Sequence, residues 1–214
     1  MAVCLAALRV LPDSIPAHYD AAGQVTRWGS KYEVLIFPVF IVLFALFMLA
    51  MMKVAARQEG GGGNNQRVVL LAGAAGLALQ DALCGFFLYT SFAGVKDLSA
   101  LALDFYSVEG AVLGAGLILI GNYMPKARRN SMFGFRTAAT MRDDDTWKQA
   151  QRFAGRVFLV VGGGMLAACL LFLRGFAAMV FALAALLAGT AVCLWYSYRL
   201  GRASPLNKSH APGV

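Results

Sequence analysis

The stretch VLIFPVFIVLFALFMLAMM, from Val34 to Met52, decides the fold of this chain. Its 19 residues carry no charge, and about 20 mostly apolar residues are enough for a helix to cross the hydrocarbon core of a bilayer. Glu33 precedes the stretch and Lys53 follows it, so charged side chains bound it on both sides. We therefore predict a transmembrane helix here.

Four more windows along the rest of the chain are long and apolar enough to be predicted as transmembrane helices. The composition agrees, because 59% of the residues are hydrophobic and 14% are charged, against about 45–50% and about 25% in soluble domains. The sequence therefore predicts an all-α polytopic membrane protein, a bundle of five full transmembrane helices. The four further windows are Val68–Phe92, Leu98–Asn122, Val157–Leu173 and Phe176–Tyr198.

The first residues of the chain form a shorter apolar segment. Residues 1–8 are apolar and Arg9 follows them. Eight residues are too few to span a bilayer, and they lack the parts of a signal peptide. We interpret the segment as a truncated first helix, and a short interfacial segment is the alternative.

Basic residues divide unequally between the two sides of the predicted bundle. The 53–67 loop, the 123–156 loop and the tail from Arg199 carry three, eight and three Lys or Arg residues, and the loops opposite carry four. Positive charge favours the cytoplasmic side, which predicts a multi-pass protein of a bacterial plasma membrane with a cytoplasmic C-terminus. The predicted parts are an N-terminal domain (1–56), a Gly-rich linker (57–67), a membrane domain (68–201) and a tail (202–214).

The predicted extracellular loop contains candidate ligand-binding side chains. Its prolines and turn residues between Leu11 and Lys31 favour an ordered loop. One histidine and one carboxylate are too few for a closed metal site, so an extracellular peptide is the expected ligand. The alternative is that these polar groups hydrogen-bond the turn backbone. The candidates are His18, Tyr19, Asp20 and Trp28.

The predicted cytoplasmic loop favours a docked structure over a free linker. Carboxylates at Asp143–Asp145 suit the start of a helix, and Trp147 begins an apolar face at helical spacing that leads into the next span. Gly134 permits a tight turn. We expect Arg136 to hold the loop against span-end carbonyls or a carboxylate, and binding of lipid phosphate is the alternative.

Three acidic residues fall inside the predicted spans. A charge at mid-bilayer costs about 2.5–3.5 kcal/mol on insertion scales, so such groups usually face the bundle interior. Asp81 lies near the middle of its window, which leaves open a proton-coupled small-molecule transporter. The alternative is that Asp81 is protonated or paired with a neighbour. Asp104 and Glu109 lie nearer the outer end of theirs.

Other chemistry has little support in the sequence. No nucleotide-binding or nucleophile fingerprint is present, and the four cysteines are isolated in apolar stretches. We expect no enzyme, cofactor or metal, and no direct contact with nucleic acid. Gly110 and Gly114 form a GxxxG pattern and Gly162 begins a glycine run, which favours close helix packing.

Two segments resemble the SdpI family of bacterial membrane proteins. The first is LPDSIPAHYDAAGQV, from Leu11 to Val25, which is similar to the family's N-terminal Leu-Pro…Ile-Pro-x-His domain. The second begins with GNYMPK at Gly121 and continues through NSMFGFRTAAT from Asn130. The match ends with Trp147 and the RFAGR motif from Arg152. Ala138-Ala139 stands where the family usually has Pro-Trp, and Ala150-Gln151 where it has Thr-His.

The resemblance implies a bundle of six helices and a role in immunity. The family's known member protects a bacterium against a secreted peptide toxin, and it holds a small repressor at the membrane when toxin is present. The expected partners are therefore the lipid bilayer, an extracellular peptide toxin and a cytoplasmic repressor. The positions that would relay the signal are Asn130, Gly134, Arg136, Thr137, Thr140, Trp147 and Arg152.

Overall fold

A computed structural model describes residues 1–58, 63–101, 104–130 and 133–203 of the chain. Within these residues, five helices are long and apolar enough to cross a membrane, as the sequence predicts, and the short helix α1 (Ala2–Ala7) precedes them. Residues 59–62 of the predicted linker and residues 204–214 of the predicted tail lie outside the described residues. The long helices are α2 (Ile36–Gln58), α3 (Asn64–Ala93), α4 (Phe105–Tyr123), α5 (Asp144–Leu171) and α6 (Gly175–Ala203).

The segment predicted as an ordered loop forms a two-stranded antiparallel hairpin. Its strands are β1 (Ser14–Tyr19) and β2 (Val25–Ser30). Ile15 of β1 is fully buried, in a cluster with Ala7, Leu11 and Val34. That cluster attaches the hairpin to the helices, because burying apolar surface is the main force that holds such an element in place.

The third span begins later than the sequence suggests. The predicted window starts at Leu98, but α4 begins at Phe105. Asp104 caps the helix, because its carboxylate accepts a hydrogen bond from the Ser107 backbone N–H. A short 3-10 turn at Leu98–Ala100 precedes it. Asp104 is therefore at a helix end and also accepts from the Gly175 backbone N–H.

The predicted amphipathic segment and the fourth span are one continuous helix, α5. Asp143 caps its first turn through the Thr146 backbone N–H at 2.7 Å, and this bond lowers the pKa of the Asp143 carboxyl below its ordinary value. The helix has 28 residues, a length of about 42 Å. A hydrocarbon core of about 30 Å leaves its N-terminal turns outside.

Glycines bring α4 and α5 into backbone contact at two levels. A β-carbon at Gly114 would lie 2.7 Å from the Gly162 carbonyl oxygen, and one at Gly162 would lie 2.5 Å from that of Gly114. Gly121 and Gly155 are reciprocal in the same way, at 2.8 and 2.7 Å. Only glycine permits such an approach, so the predicted small-residue packing is present between these helices.

The bundle has two ends of different construction. The hairpin end comprises β1, β2 and residues 94–101, and the two parts are joined by the hydrogen bond from the Val25 N–H to the Lys96 carbonyl. The loop end comprises the described part of residues 124–143 together with the first turns of α5. A β-carbon at Gly201 of α6 would lie 2.6 Å from the Ala139 side chain, so α6 also reaches the loop end.

Candidate functional site

A pocket at the hairpin end lies between the hairpin and helices α2, α3 and α4. Its volume is about 390 Å³, within the range of about 300–1,000 Å³ that ligand sites usually have. Most of its wall is apolar, and polar groups stand at its edge. We call it the hairpin pocket. The residues that line it are Ala17, His18, Tyr19, Arg27, Glu33, Ile36, Phe37, Leu83, Phe86, Phe87, Thr90, Leu98, Phe105 and Tyr106.

Two of the four predicted ligand residues line this pocket. The Tyr19 hydroxyl donates a hydrogen bond to the Val95 carbonyl at 2.8 Å, and burial raises the pKa of that hydroxyl. The His18 ring lies with Nδ1 2.6 Å from the Thr26 hydroxyl oxygen. Both side chains therefore have structural partners and also face the pocket.

The other two predicted ligand residues lie elsewhere. Asp20 sits in the turn, where its carboxylate accepts from the backbone N–H groups of Ala22 and Gln24 at 3.0 and 2.9 Å. It therefore adopts the alternative role of bonding the turn backbone. Trp28 on β2 is 46% exposed and is not among the residues that line the hairpin pocket.

An ion pair forms part of the polar edge of the hairpin pocket. The Arg27 guanidinium donates to both carboxylate oxygens of Glu33, at 3.0 and 2.8 Å. Glu33 belongs to the 3-10 turn that leads into α2, so the pair connects the hairpin to the first long helix. Paired hydrogen bonds of this kind are directional, and the pair places a planar charged group beside the apolar wall.

The loop end is held by buried polar side chains. Trp147 is 1% exposed, and its indole N–H donates to the Ala127 carbonyl at 2.8 Å. Asn65 and Asn130 are also buried. The Asn65 side-chain oxygen accepts from the Arg128 backbone N–H at 3.0 Å, and the Asn130 side-chain amide donates to the Arg128 backbone carbonyl at 2.6 Å. The chain at Arg128 is therefore fixed on both sides.

A glutamine of α5 fixes the turn that follows. The Gln151 side chain accepts from the Phe135 N–H at 3.0 Å and donates to the Phe135 carbonyl at 3.1 Å. Gly134 has φ of +103°, which favours glycine, and a β-carbon there would lie 2.7 Å from the Gln151 side-chain oxygen.

Two predicted threonines join the turn to α6. The Thr140 hydroxyl donates to the Phe135 carbonyl at 2.9 Å and accepts from the Thr137 N–H at 2.9 Å. The Thr137 hydroxyl in turn lies 2.5 Å from that of Ser197. Thr140 and Ser197 are fully buried, so the predicted docking of this loop is present among the described residues.

The role expected of Arg136 belongs to another arginine. Arg136 is exposed, and among the described residues no hydrogen bond or ion pair to its side chain is present. Arg129 instead donates to the carbonyls of Met141 and Arg142 at 3.0 and 3.1 Å and pairs with Asp144 at 2.9 Å. The sequence gives no periodic relation between Arg129 and Asp144 that could have identified this pair.

Gln151 was also missed, although the sequence contained a signal for it. It follows Trp147 by four residues and therefore lies on the same helical face, which is buried at Ala150 and Ala154. A glutamine on a buried face needs partners. The Phe135 backbone supplies them.

The remaining intramembrane acids differ in their surroundings. Asp81 is exposed on α3 and lines none of the cavities described here, so transport through Asp81 stays a prediction. Glu109 lines a groove of about 300 Å³ between α3, α4 and α6, together with Tyr106 and apolar side chains. Within the part of the chain that the structure describes, no three His, Cys, Asp or Glu side chains form a metal-binding group.

Comparisons with known proteins match two segments of this chain to protein families. The SdpI/YfhL protein family matches residues 126–197, a range that includes the turn and most of α5 and α6. A domain of unknown function, DUF1648, matches residues 1–42. The resemblance of the hairpin segment to the family's own N-terminal domain stays a prediction.

A curated relative supports the same assignment. The chain is 44% identical over 52 residues to the protein named Immunity protein SdpI from Bacillus subtilis (strain 168), which covers 23% of this chain and 25% of the relative. The match thus spans about a quarter of the relative's length. No solved structure matches this chain. With five helices that are long and apolar enough to cross a membrane, the chain is a multi-pass membrane protein, and its residues 126–197 are similar to the SdpI/YfhL family.

Proposed function

We propose that this chain is a non-enzymatic immunity protein whose hairpin pocket binds an extracellular amphipathic peptide toxin. The observation that carries the proposal is the pocket itself, which combines an aromatic wall with a charged edge. The name of the curated relative, an immunity protein, gives the function class. The expectation of a peptide ligand comes from the family resemblance described above.

The chemistry of the hairpin pocket fits an amphipathic ligand. Phe86 and Phe105 stack with their ring centroids 3.8 Å apart, and the ring centroids of Phe37 and Phe87 lie 5.2 Å apart. Aromatic surfaces of this kind bind apolar side chains. Polar groups of the same peptide would meet the Arg27–Glu33 pair at the edge. A peptide seated here would be held away from the bilayer that it attacks.

We assign the hairpin end to the extracellular side and the loop end to the cytoplasm, on the distribution of basic residues. The exposed side of the turn, at Ala138 and Met141, is then open to a cytoplasmic protein. A repressor would dock there if this chain also relays occupancy of the pocket. Gly201 of α6 lies against Ala139, so a shift of α6 would reach the turn directly.

The test of immunity uses a bacterium that is sensitive to SDP-type peptides. Expression of the chain should raise survival, and Phe86→Ala should weaken peptide binding about tenfold or more, as loss of a central aromatic contact does in other interfaces. The control is Phe92→Ala, on the same helix and at the same end, because Phe92 is 49% exposed and lies outside the pocket. Equal survival with and without the chain would refute the immunity proposal.

The assigned orientation has its own test. Lys96→Cys and Arg142→Cys each place one thiol on an exposed loop, at opposite ends of the bundle, and the four native cysteines are buried. An impermeant maleimide applied to whole cells should label the first variant and leave the second unlabelled until the cells are opened. The reverse pattern would place the hairpin end in the cytoplasm.

A further inference from the structure

A basic groove lies at the loop end, apart from the hairpin pocket. Its volume is about 600 Å³. Five of its nine lining residues are Lys or Arg and one is acidic, so its electrostatic potential is positive. We call it the basic groove, and it is lined by Pro125, Lys126, Ala127, Arg128, Arg129, Asp144, Trp147, Lys148 and Arg152.

The floor of the basic groove is rigid. Trp147 forms part of it, and this side chain is fixed by burial and by its hydrogen bond to Ala127. Asn65 and Asn130 hold the backbone of Arg128 from both sides. Because these groups are already in place, a ligand need not order the backbone when it binds, and less conformational entropy is lost.

Three of the five basic side chains of the basic groove already contact another side chain. Arg129 pairs with Asp144 at 2.9 Å, and Lys148 lies 3.8 Å from Asp145. Lys126 stands over the Tyr123 ring at 4.5 Å.

The two remaining cations are the available ones. Arg128 and Arg152 are exposed, and within the described ranges no carboxylate forms an ion pair with either. Both guanidinium groups are therefore available to an anion. Paired N–H donors in a fixed plane match the geometry of phosphate oxygens.

The depth of the basic groove points to the membrane surface. Gly155 of α5 is in contact with Gly121 near the end of α4, and apolar sequence runs from Val157 onward. Arg152 lies four residues before Arg156, about 6 Å further out along the axis. Basic and aromatic side chains at this level meet lipid headgroups.

From the open cations and this depth, we propose that the basic groove binds the phosphate of an anionic phospholipid headgroup, with Arg128 and Arg152 as its ligands. A soluble phosphate offers the same oxygens but no acyl chains. The bilayer supplies the lipid at high local concentration beside the groove, and acyl chains would lie along the apolar part of α5. The proposal concerns a site that is independent of peptide binding at the hairpin pocket.

The test measures lipid binding to the purified full chain in a neutral detergent by native mass spectrometry. The probes are phosphatidylglycerol, phosphatidylcholine and glycerol 3-phosphate. The unmutated chain should retain phosphatidylglycerol in preference to phosphatidylcholine. R128Q/R152Q should weaken phosphatidylglycerol binding by about 10- to 30-fold, since each basic residue near a surface contributes a comparable share of the attraction.

The matched control removes two positive charges from the same end of the bundle. R136Q/R142Q changes two exposed arginines outside the basic groove, and it should bind phosphatidylglycerol like the unmutated chain. Equal losses in both double variants would show only diffuse attraction and would overturn the site. Equal binding of glycerol 3-phosphate and of phosphatidylglycerol would overturn the lipid assignment in favour of a soluble phosphate.

Folding of the variants is checked in the same sample. Each should elute as one species and keep its melting temperature in phosphatidylcholine, because Arg128 and Arg152 have exposed side chains. If R128Q/R152Q does not fold, Arg152→Gln alone provides the test, with a loss of about fivefold expected. Unchanged phosphatidylglycerol binding in that variant would contradict the proposal.

Discussion

The loop end and the hairpin end are held by different interactions. At the loop end, the buried side chains of Trp147 and Gln151 bond backbone groups of the loop. At the hairpin end, the ion pairs Arg27–Glu33 and Asp13–Lys31 include largely exposed side chains. A buried bond is costly to break because it leaves an unsatisfied group, whereas an exposed ion pair is screened by water.

This difference in interactions indicates which end of the bundle can change conformation. At the hairpin end, the Arg27–Glu33 pair of the hairpin pocket can separate at a small free-energy cost, because water then solvates both charged groups. The loop end cannot loosen without leaving buried polar atoms unpaired. We therefore expect the hairpin end to change conformation more readily than the loop end.

The largest expected effect comes from Trp147→Ala. Removing a fully buried aromatic side chain and its hydrogen bond should lower the free energy of unfolding by about 3–5 kcal/mol. Denaturation of the purified chain in mixed micelles measures it. Trp147→Phe keeps most of the volume and loses the bond to Ala127, so it should lose less. A Trp147→Ala variant as stable as the unmutated chain would remove the contrast between the two ends.

Gln151→Ala should have the next largest effect. It leaves the Phe135 N–H without its partner and the Phe135 carbonyl with the Thr140 hydroxyl alone, at about 1–3 kcal/mol, and should expose new protease sites between Phe133 and Trp147. Arg136→Ala is the control, because Arg136 is exposed and should leave the digestion pattern unchanged. New cleavage in Arg136→Ala and none in Gln151→Ala would restore the role that the sequence suggested for Arg136.

Asp143→Ala tests the cap of α5. Loss of the bond to the Thr146 N–H should cost about 1 kcal/mol at neutral pH. The folded pKa of Asp143 lies below its ordinary value of 3.8, so the contribution is present above that value and is lost as the pH falls through the folded pKa.

Thermal melts at neutral and acid pH measure the cap. Asp143→Asn should keep the cap and show no such loss at low pH, because its amide does not titrate there. If Asp143→Ala is less stable than the unmutated chain by the same amount at both pH values, the stabilisation does not come from the charged carboxylate.

The smallest effect is expected at the hairpin end, from Lys31→Gln. The ion pair with Asp13 spans 2.8 Å, but the Asp13 side chain is 94% exposed. Lys31 lowers the pKa of Asp13, so what stability the pair gives is lost as the pH falls through that lowered pKa. The melting temperature at neutral pH should not change measurably. A decrease as large as that of Asp143→Ala would show that the hairpin end is as firmly held as the loop end.

Long-range patterns in the sequence predicted the helical architecture. Apolar runs such as Val34–Met52 identify spans without knowledge of their partners, because the bilayer acts on each helix separately. The hairpin was harder to predict, since its strands are short and their fully buried apolar residues, Ile15 and Pro16, are adjacent rather than periodic. The start of α4 was missed because Asp104 was counted within an apolar window, whereas it caps the helix.

The site was predicted in part, and the reason is geometric. His18 and Tyr19 were identified by residue type, and the structure places both in the hairpin pocket. The aromatic wall of the pocket comes from three separate helices, α2, α3 and α4, so no local sequence pattern indicated it. At the loop end, Thr137 and Thr140 were identified from the resemblance, but the bond from Thr137 to Ser197 crosses 60 positions. Such a contact depends on how α5 and α6 pack.

The two glycine contacts between α4 and α5 have a consequence for motion. Sliding α4 by one residue would shift it about 1.5 Å and bring larger side chains against the carbonyls that Gly114 and Gly121 now face. Rotation about the helix axis meets the same obstacle. The α4–α5 pair therefore keeps one register, and the other helices can move relative to it. A movement of α2, α3 or α6 relative to that pair leaves both glycine contacts intact.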